Sequence, residues 1–190
     1  MNKPEWALRA ESIEPRRGFP TREEWGPGEW QSEPDLVEWR DAATGYPCLI
    51  VRGSMGALCG YVGLPPGHPL HGKGYSEAEQ EHESLNVHGG LTYADACDEG
   101  GHICHVPLEG EPADVWWLGF DCNHSGDLAP GMDALTRRSS GTAISDALNG
   151  IDCGPWRVTY KPIGYVRSEV ESLAAQLAAL TSRAPDPPPE

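Results

Sequence analysis

Apolar residues along this chain follow two periods. From residue 37, Val37 and Trp39 alternate with Glu38 and Arg40. A period of two is the mark of a half-buried strand, because successive side chains point to opposite faces. Thr44-Gly45 supplies a turn, and residues 46–52 (YPCLIVR) form the returning strand. A brief helix before Gly45 is the competing reading of that stretch. A second turn at residues 53–56 leads to a third strand over residues 58–64 (LCGYVGL), where Gly60 and Gly63 point to bulges or close backbone approach. Residues 65–69 (PPGHP) end that strand and open a long loop. Residues 77–83 (EAEQEHE) read as a solvated loop or helix turn. Residues 86–93 (NVHGGLTY) predict a strand broken at Gly89-Gly90. Residues 114–122 (DVWWLGFDC), the most apolar stretch, predict a central strand.

The period then changes. Val166, Val170, Leu173, Leu177 and Leu180 fall at spacings of 4, 3, 4 and 3, one apolar stripe on a helix. Ala174, Ala175, Ala178 and Ala179 add helix propensity, and Pro185 marks the stop. A stripe this narrow is compatible with a coiled-coil seam, but it covers only two heptads, so docking of the helix across a sheet is the expected reading. The expected class is α+β: a small, mostly antiparallel β-sheet, a C-terminal amphipathic helix packed on it, and long irregular loops. Residues 1–35 read as an irregular N-terminal arm anchored by Trp25 and Trp30. Residues 36–183 read as a single domain. Residues 184–190 (APDPPPE) read as a disordered Pro-rich tail, since proline supports neither helix nor ladder.

Composition fits that picture and narrows the partners. A chain of 190 residues with 38% hydrophobic residues, 23 Gly and 18 Pro suits one domain with long loops. Net charge is −15, from 29 acidic and 14 basic residues. Nucleic-acid backbones require clustered Lys or Arg, so direct nucleic-acid binding is not expected. The acidity reads as solubility, or as an acidic face for a basic partner. No stretch approaches the ~20 apolar residues of a membrane span, so no membrane association is expected. Residues 1–10 carry no export-signal pattern. The six Cys are therefore expected as reduced thiols and the protein as cytoplasmic.

Candidate chemistry gathers in two segments. Residues 119–127 (GFDCNHSGD) follow an apolar strand, where a rigid sheet can aim loop residues at a ligand. Asp121, His124 and Asp127 lie three apart. His is the usual acid or base near neutral pH, and a neighbouring carboxylate fixes its tautomer. The plainer reading is a turn in which the two Asp accept backbone amides. Residues 87–93 (VHGGLTY) bring His88, two glycines whose amides can cradle an anion, and the hydroxyls of Thr92 and Tyr93. A lone His on a strand is, by contrast, an ordinary core residue. His68 sits between prolines in a stiff loop, either a plain turn or a binding position. Tyr61 and Trp117 are candidate pocket walls.

The catalytic candidates are thus His88, Asp121, His124 and Asp127. The ligand-binding candidates are Tyr61, His68, Gly89, Gly90, Thr92, Tyr93 and Trp117. The His and Asp residues offer nitrogen and oxygen donors for a divalent ion, although no HExxH-type spacing names a metal, and no cofactor is implied. Cys97, His102, Cys104 and His105 lie close in sequence without paired zinc-ligand spacing; the alternative is ordinary loop thiols. Cys122, between Asp121 and His124, is a weaker candidate nucleophile, because alternation turns it away from Asp121. Walker, GxGxxG and GxSxG motifs are absent from the sequence.

Three motifs, residues 59–72 (CGYVGLPPGHPLHG), residues 87–93 (VHGGLTY) and residues 117–127 (WLGFDCNHSGD), together with the helix of residues 165–180, resemble a family of small hypothetical proteins of tailed bacteriophages and prophages. The resemblance covers roughly residues 46–180. It implies a setting in the bacterial host cytoplasm, and it implies that His68, His88, Asp121, His124 and Asp127 share one site. It assigns no mechanism. The expectation is a small hydrolase or transferase acting on a small molecule by His/Asp acid–base chemistry. The alternative is a non-catalytic phage protein that binds a host small-molecule signal or a host defence protein. A minor structural role in the virion is the third reading, and it lacks the repeats or long coiled coils that would support it.

Overall fold

In the computed structural model, residues 3–14, 16–97, 101–142 and 158–181 are described. They form one six-stranded antiparallel sheet with three α-helices. The strands are β1 (Arg9–Glu11), β2 (Leu36–Arg40), β3 (Pro47–Arg52), β4 (Leu58–Leu64), β5 (Tyr93–Ala96) and β6 (Trp116–Asp121), in the spatial order β1-β2-β3-β4-β6-β5. The helices are α1 (Tyr75–Glu81), α2 (Pro130–Ser140) and α3 (Ile163–Thr181).

Alternation divides the sheet into two buried faces. On one, Val37, Trp39, Cys48, Ile50, Val62, Leu118 and Phe120 meet Val166, Val170, Leu173, Ala174 and Leu177 of α3. The stripe of the C-terminal helix is thus its docking face. Gly60 lets α3 approach: a Cβ there would come within 2.5 Å of Val170 and 2.7 Å of Phe120. On the opposite face, Leu36, Leu49, Val51, Tyr61, Val115 and Trp117 form a second apolar layer, with Ile13, Tyr93 and Ile103 at its margin. Glu38, on this second face, is held by Arg9 at 3.0 Å and Arg40 at 3.0 Å.

The structure adds a strand to the N-terminal arm and differs from the sequence expectations in residues 86–93. The N-terminal arm is built into the domain: Arg9–Glu11 pairs with β2, and Trp25 and Trp30 are buried beside Ala134 of α2. Alternation is too short in residues 9–11 to be read as a strand without its partner. The expected strand of residues 86–93 is a turn over its first half, because Gly89 (φ 69°) and Gly90 (φ 88°) adopt left-handed backbone that no ladder accommodates; pairing begins only at Tyr93. Residues 75–81 form the helix α1. The expected tail at residues 184–190 lies outside the described residues. Among the described residues, no helix is long and apolar enough to cross a membrane.

The thiol expectation is also corrected. Cys97 and Cys104 are joined in a disulfide, which removes both thiolates from the zinc site considered for residues 97–105. Cys48, Cys59 and Cys122 are unpaired, and Cys153 lies outside the described residues.

A buried ion network fastens the sheet to the start of α3. Arg52 donates from Nε to Asp35 (2.9 Å), and from its two Nη atoms to Glu33 (2.9 Å), the Gly56 carbonyl (2.9 Å) and the Tyr160 hydroxyl (2.5 Å). Arg22 also pairs with Asp35. Glu33 accepts from the Ile163 amide at 2.9 Å, so a carboxylate sits at the positive end of the α3 dipole.

Candidate functional site

Two loops and one helix build the site. The first loop, residues 86–91, has few backbone partners of its own, and helix side chains replace them. Gln176 accepts from the Asn86 amide (2.7 Å) and donates to its carbonyl (2.8 Å). Glu169 accepts from the His88 amide (2.8 Å), and Glu79 of α1 from the Leu91 amide (2.8 Å). These contacts fix the backbone of His88 against α3.

The second loop leaves β6 at Asp121. Asp121 accepts from the Asn123 amide at 2.9 Å, an Asx turn that reverses the chain. Asp127 then bridges to Thr159 in parallel, with Thr159 N–H donating to the Gly126 carbonyl and Leu128 N–H to the Thr159 carbonyl, both at 2.9 Å. That bridge sets the Asp127 carboxylate between three donors. Oδ2 accepts from His88 Nε2 at 2.8 Å and from the His124 amide at 2.9 Å, and Lys161 Nζ lies 3.2 Å from Oδ1. His124 Nδ1 is 3.5 Å from Oδ2 and makes no hydrogen bond.

His88 is held at both ring nitrogens, Nε2 by Asp127 and Nδ1 by the Tyr165 hydroxyl at 2.9 Å. An ionised Asp127 requires a proton on Nε2, so in the neutral ring Nδ1 accepts from Tyr165. The His124 ring packs edge-on against His88, with centroids 5.5 Å apart. Gly89 makes that packing feasible: a Cβ at this position would come within 2.1 Å of the His124 ring. Tyr165 stands at the solvent edge, 38% exposed.

Asp127 is an ionised carboxylate in a nearly closed setting, its side chain 4% exposed. Burial pushes its pKa up, but the hydrogen bonds from His88, the His124 amide and Lys161 outweigh burial and hold it below the usual value. Burial and the neighbouring Glu169 push the Tyr165 phenol above its ordinary value, so it stays a proton carrier rather than a phenolate. The arrangement amounts to a phenol, an imidazole and a carboxylate in series, able to accept or deliver a proton at the exposed end.

The remaining sequence candidates lie elsewhere. His68 is a core histidine: Nδ1 accepts from the Leu70 amide (3.1 Å), and Nε2 donates to the Leu177 carbonyl (3.0 Å). Asp121 pairs in register with Cys59, and alternation turns it to the face opposite Cys122 and α3. Tyr61, Tyr93 and Trp117 belong to that opposite face, where Tyr61 and Tyr93 rings pack edge-on at 5.2 Å. Thr92 is exposed, and its amide is bound to the Gly119 carbonyl. Gly90 N–H is taken by the Val87 carbonyl, so it is not a free anion donor. Cys122 is buried, and burial pushes its thiol far above the reactive range, which removes it as a nucleophile. The structure thus joins His88, His124 and Asp127 and separates His68 and Asp121 from them.

Tyr165, Lys161 and Glu169 were missed from the sequence. Tyr165 and Glu169 flank the apolar stripe of α3 one turn apart, and polar residues there look like plain solvated face.

Two cavities are lined by other residues. A cleft of about 490 Å³ is bounded by Arg16, Arg22, Trp25, Asp35, Arg52 and His102, among others, and a smaller one of about 220 Å³ by Tyr46, Pro65, His105 and Pro112 among others.

The core histidines carry a pH prediction. Burial lowers the pKa of His68, and burial with the Arg40 charge lowers that of His105. A folded-state pKa below the unfolded 6.5 means the unfolded chain binds the proton first. The stability is therefore complete above about pH 6.5 and falls as pH drops below it, by at most about 1.4 kcal/mol per pH unit for each histidine. Thermal melts between pH 8 and pH 5 should show this slope, and His68→Gln should flatten it.

Comparison with protein-family models, with curated proteins and with solved structures finds no significant match to this chain.

Proposed function

We propose that the protein is a small hydrolase or transferase that acts on a small molecule by acid–base chemistry, with His88 as the proton-transferring group. The observation that carries this reading is the 2.8 Å contact from His88 Nε2 to the buried Asp127 carboxylate. It fixes the ring orientation and stabilises the imidazolium that forms when His88 takes a proton. Tyr165 hands that proton to or from the bound molecule at the solvent edge. Lys161 keeps Asp127 ionised throughout. His124 lines the same face and contacts the substrate. The phage-type motifs support a role inside an infected or lysogenic bacterial cell.

The test is turnover against a panel of chromogenic esters, phosphate esters and amides, followed by mass spectrometry of a bacterial metabolite extract. Wild type, His88→Ala and Tyr165→Phe are compared with Asp95→Asn, which alters the exposed edge strand β5. Loss of turnover in His88→Ala with retention in Asp95→Asn is the expected result. Equal turnover in all four proteins would end the proposal.

A second reading, a non-catalytic binder of a host small molecule, is favoured by the 490 Å³ cleft, which shares no residue with the His88 cluster. An unchanged small molecule released from the purified protein, together with silence in the turnover panel, would favour it over the first.

A further inference from the structure

We propose that His88, His124 and Asp127 form a binding site for one divalent transition-metal ion. The inference rests on the reading that this cluster is the working site; the ion takes the place of the proton between His88 Nε2 and Asp127 Oδ2, so His88 acts as acid or base in the ion-free chain and turnover is measured on that form. Among the described residues, these three form the one group of His, Cys, Asp and Glu side chains whose donor atoms converge, all lying within 4.8 Å of one another. That spacing needs only small side-chain adjustments to surround a single ion, for which Zn–N and Zn–O distances are about 2.0–2.2 Å.

Three features go beyond proximity. First, the His88 donor atom is aimed by a partner on the far side of its ring. Tyr165 holds His88 Nδ1, leaving Nε2 to face inward beside Asp127 Oδ2. Outer contacts of this kind orient metal ligands and set their tautomer. Second, His124 Nδ1 is a shielded ring nitrogen with no hydrogen bond, although it lies 3.5 Å from Asp127 Oδ2. A buried nitrogen without a partner costs free energy, and an ion supplies the missing partner. Third, Gly89 is the residue that lets the His124 ring lie over the His88 loop, since any Cβ there would displace it.

The donor set selects the class of ion. Two imidazole nitrogens and one carboxylate oxygen suit zinc, ferrous iron, cobalt or nickel, whereas magnesium and calcium take all-oxygen sites. Three protein donors also leave coordination positions open for water or substrate. When the ion binds a neutral His88, the proton on Nε2 is lost to solvent and another is gained at Nδ1. The net proton count is unchanged. Tyr165 then accepts from Nδ1–H instead of donating to it. Lys161 opposes the incoming charge, so its removal strengthens binding.

The test is titration of the chelator-treated full chain with Zn²⁺, Co²⁺ and Mg²⁺ by calorimetry, with visible absorption as the Co²⁺ readout. One Zn²⁺ or Co²⁺ per chain, visible Co²⁺ bands and no Mg²⁺ binding are expected. His124→Ala and Asp127→Asn, each checked for folding by circular dichroism, should lose the ion. Tyr165→Phe should weaken it by about 10–100-fold, and Lys161→Met should tighten it. Absence of Zn²⁺ and Co²⁺ binding to the wild type overturns the proposal, as does binding that survives unchanged in His124→Ala. The acid–base reading fails separately: it falls if His88→Ala keeps full turnover, whatever the metal titration shows.

Discussion

Replacing Arg52 with Met should destabilise the fold by about 3–5 kcal/mol, the cost of removing one partner from a buried ion pair. The Arg52 side chain is 2% exposed and serves Asp35, Glu33, the Gly56 carbonyl and the Tyr160 hydroxyl. Met fills much of the volume but leaves the Asp35 and Glu33 carboxylates short of a charge partner away from water. Arg22 still reaches Asp35, so Glu33 is the group left worst off. Glu33 is also the residue that accepts from the Ile163 amide at the start of α3 and from Tyr160 at 2.5 Å. The loss therefore propagates to the segment that carries Lys161 and Tyr165. Urea unfolding reads the change directly, and the melting temperature should fall by roughly 6–20 °C. A change below about 1 kcal/mol would mean that the network is not closed to solvent.

Under the proposed acid–base function, Asp127→Asn should have the largest effect on chemistry, a loss of about 10²–10⁴-fold in turnover. The substitution keeps the shape and removes the charge. With its oxygen in the Oδ2 position the introduced carboxamide accepts from both His88 and the His124 amide, but its NH₂ group then faces the Lys161 ammonium; flipped, the NH₂ group faces both of the other donors. The His88 tautomer is no longer fixed, and the imidazolium loses its counter-charge. Stability should fall by about 1.5–3 kcal/mol, the range for hydrogen bonds to a charged group. The sign of the pH dependence follows from the lowered Asp127 pKa. Its contribution is present above the unfolded value of 3.8 and is lost as pH falls through the lower folded value. The acid limb of stability below about pH 4 should thus be shallower in Asp127→Asn than in wild type. Guanidinium unfolding from pH 7 to pH 3 measures both effects.

The fold was legible where one period ran long enough to dominate. Residues 58–64 predicted β4 to the residue, and the stripe at Val166, Val170, Leu173 and Leu177 predicted both α3 and its buried face. The Arg9–Glu11 strand was not legible, because three residues are too few for a pattern and the pairing is supplied by β2. The strand expected at residues 86–93 failed where Gly89 and Gly90 turned left-handed. The polar words of the motifs named His88, His124 and Asp127, which the fold brings together. The same words named His68 and Asp121, which it keeps apart. Proximity in a motif does not reveal which face of a strand a residue takes, and Asp121 differs from Cys122 by one step of alternation. Tyr165 and Lys161 carry no motif at all; they reach the site because Asp127 bridges to Thr159 and the chain turns into α3 two residues after Lys161. The disulfide between Cys97 and Cys104 was hidden by the expectation that all six thiols are reduced.

The central claim is that Asp127 and Tyr165 hold the His88 imidazole between them in one tautomer. Long-range proton–nitrogen correlation spectra of ¹⁵N-labelled, chelator-treated protein near pH 8 read that tautomer directly. A protonated Nε2 and an unprotonated, hydrogen-bonded Nδ1 on His88, with the preference lost in Asp127→Asn, is the expected result. A proton on Nδ1, or a ring averaging between both forms as in a free imidazole, would contradict it.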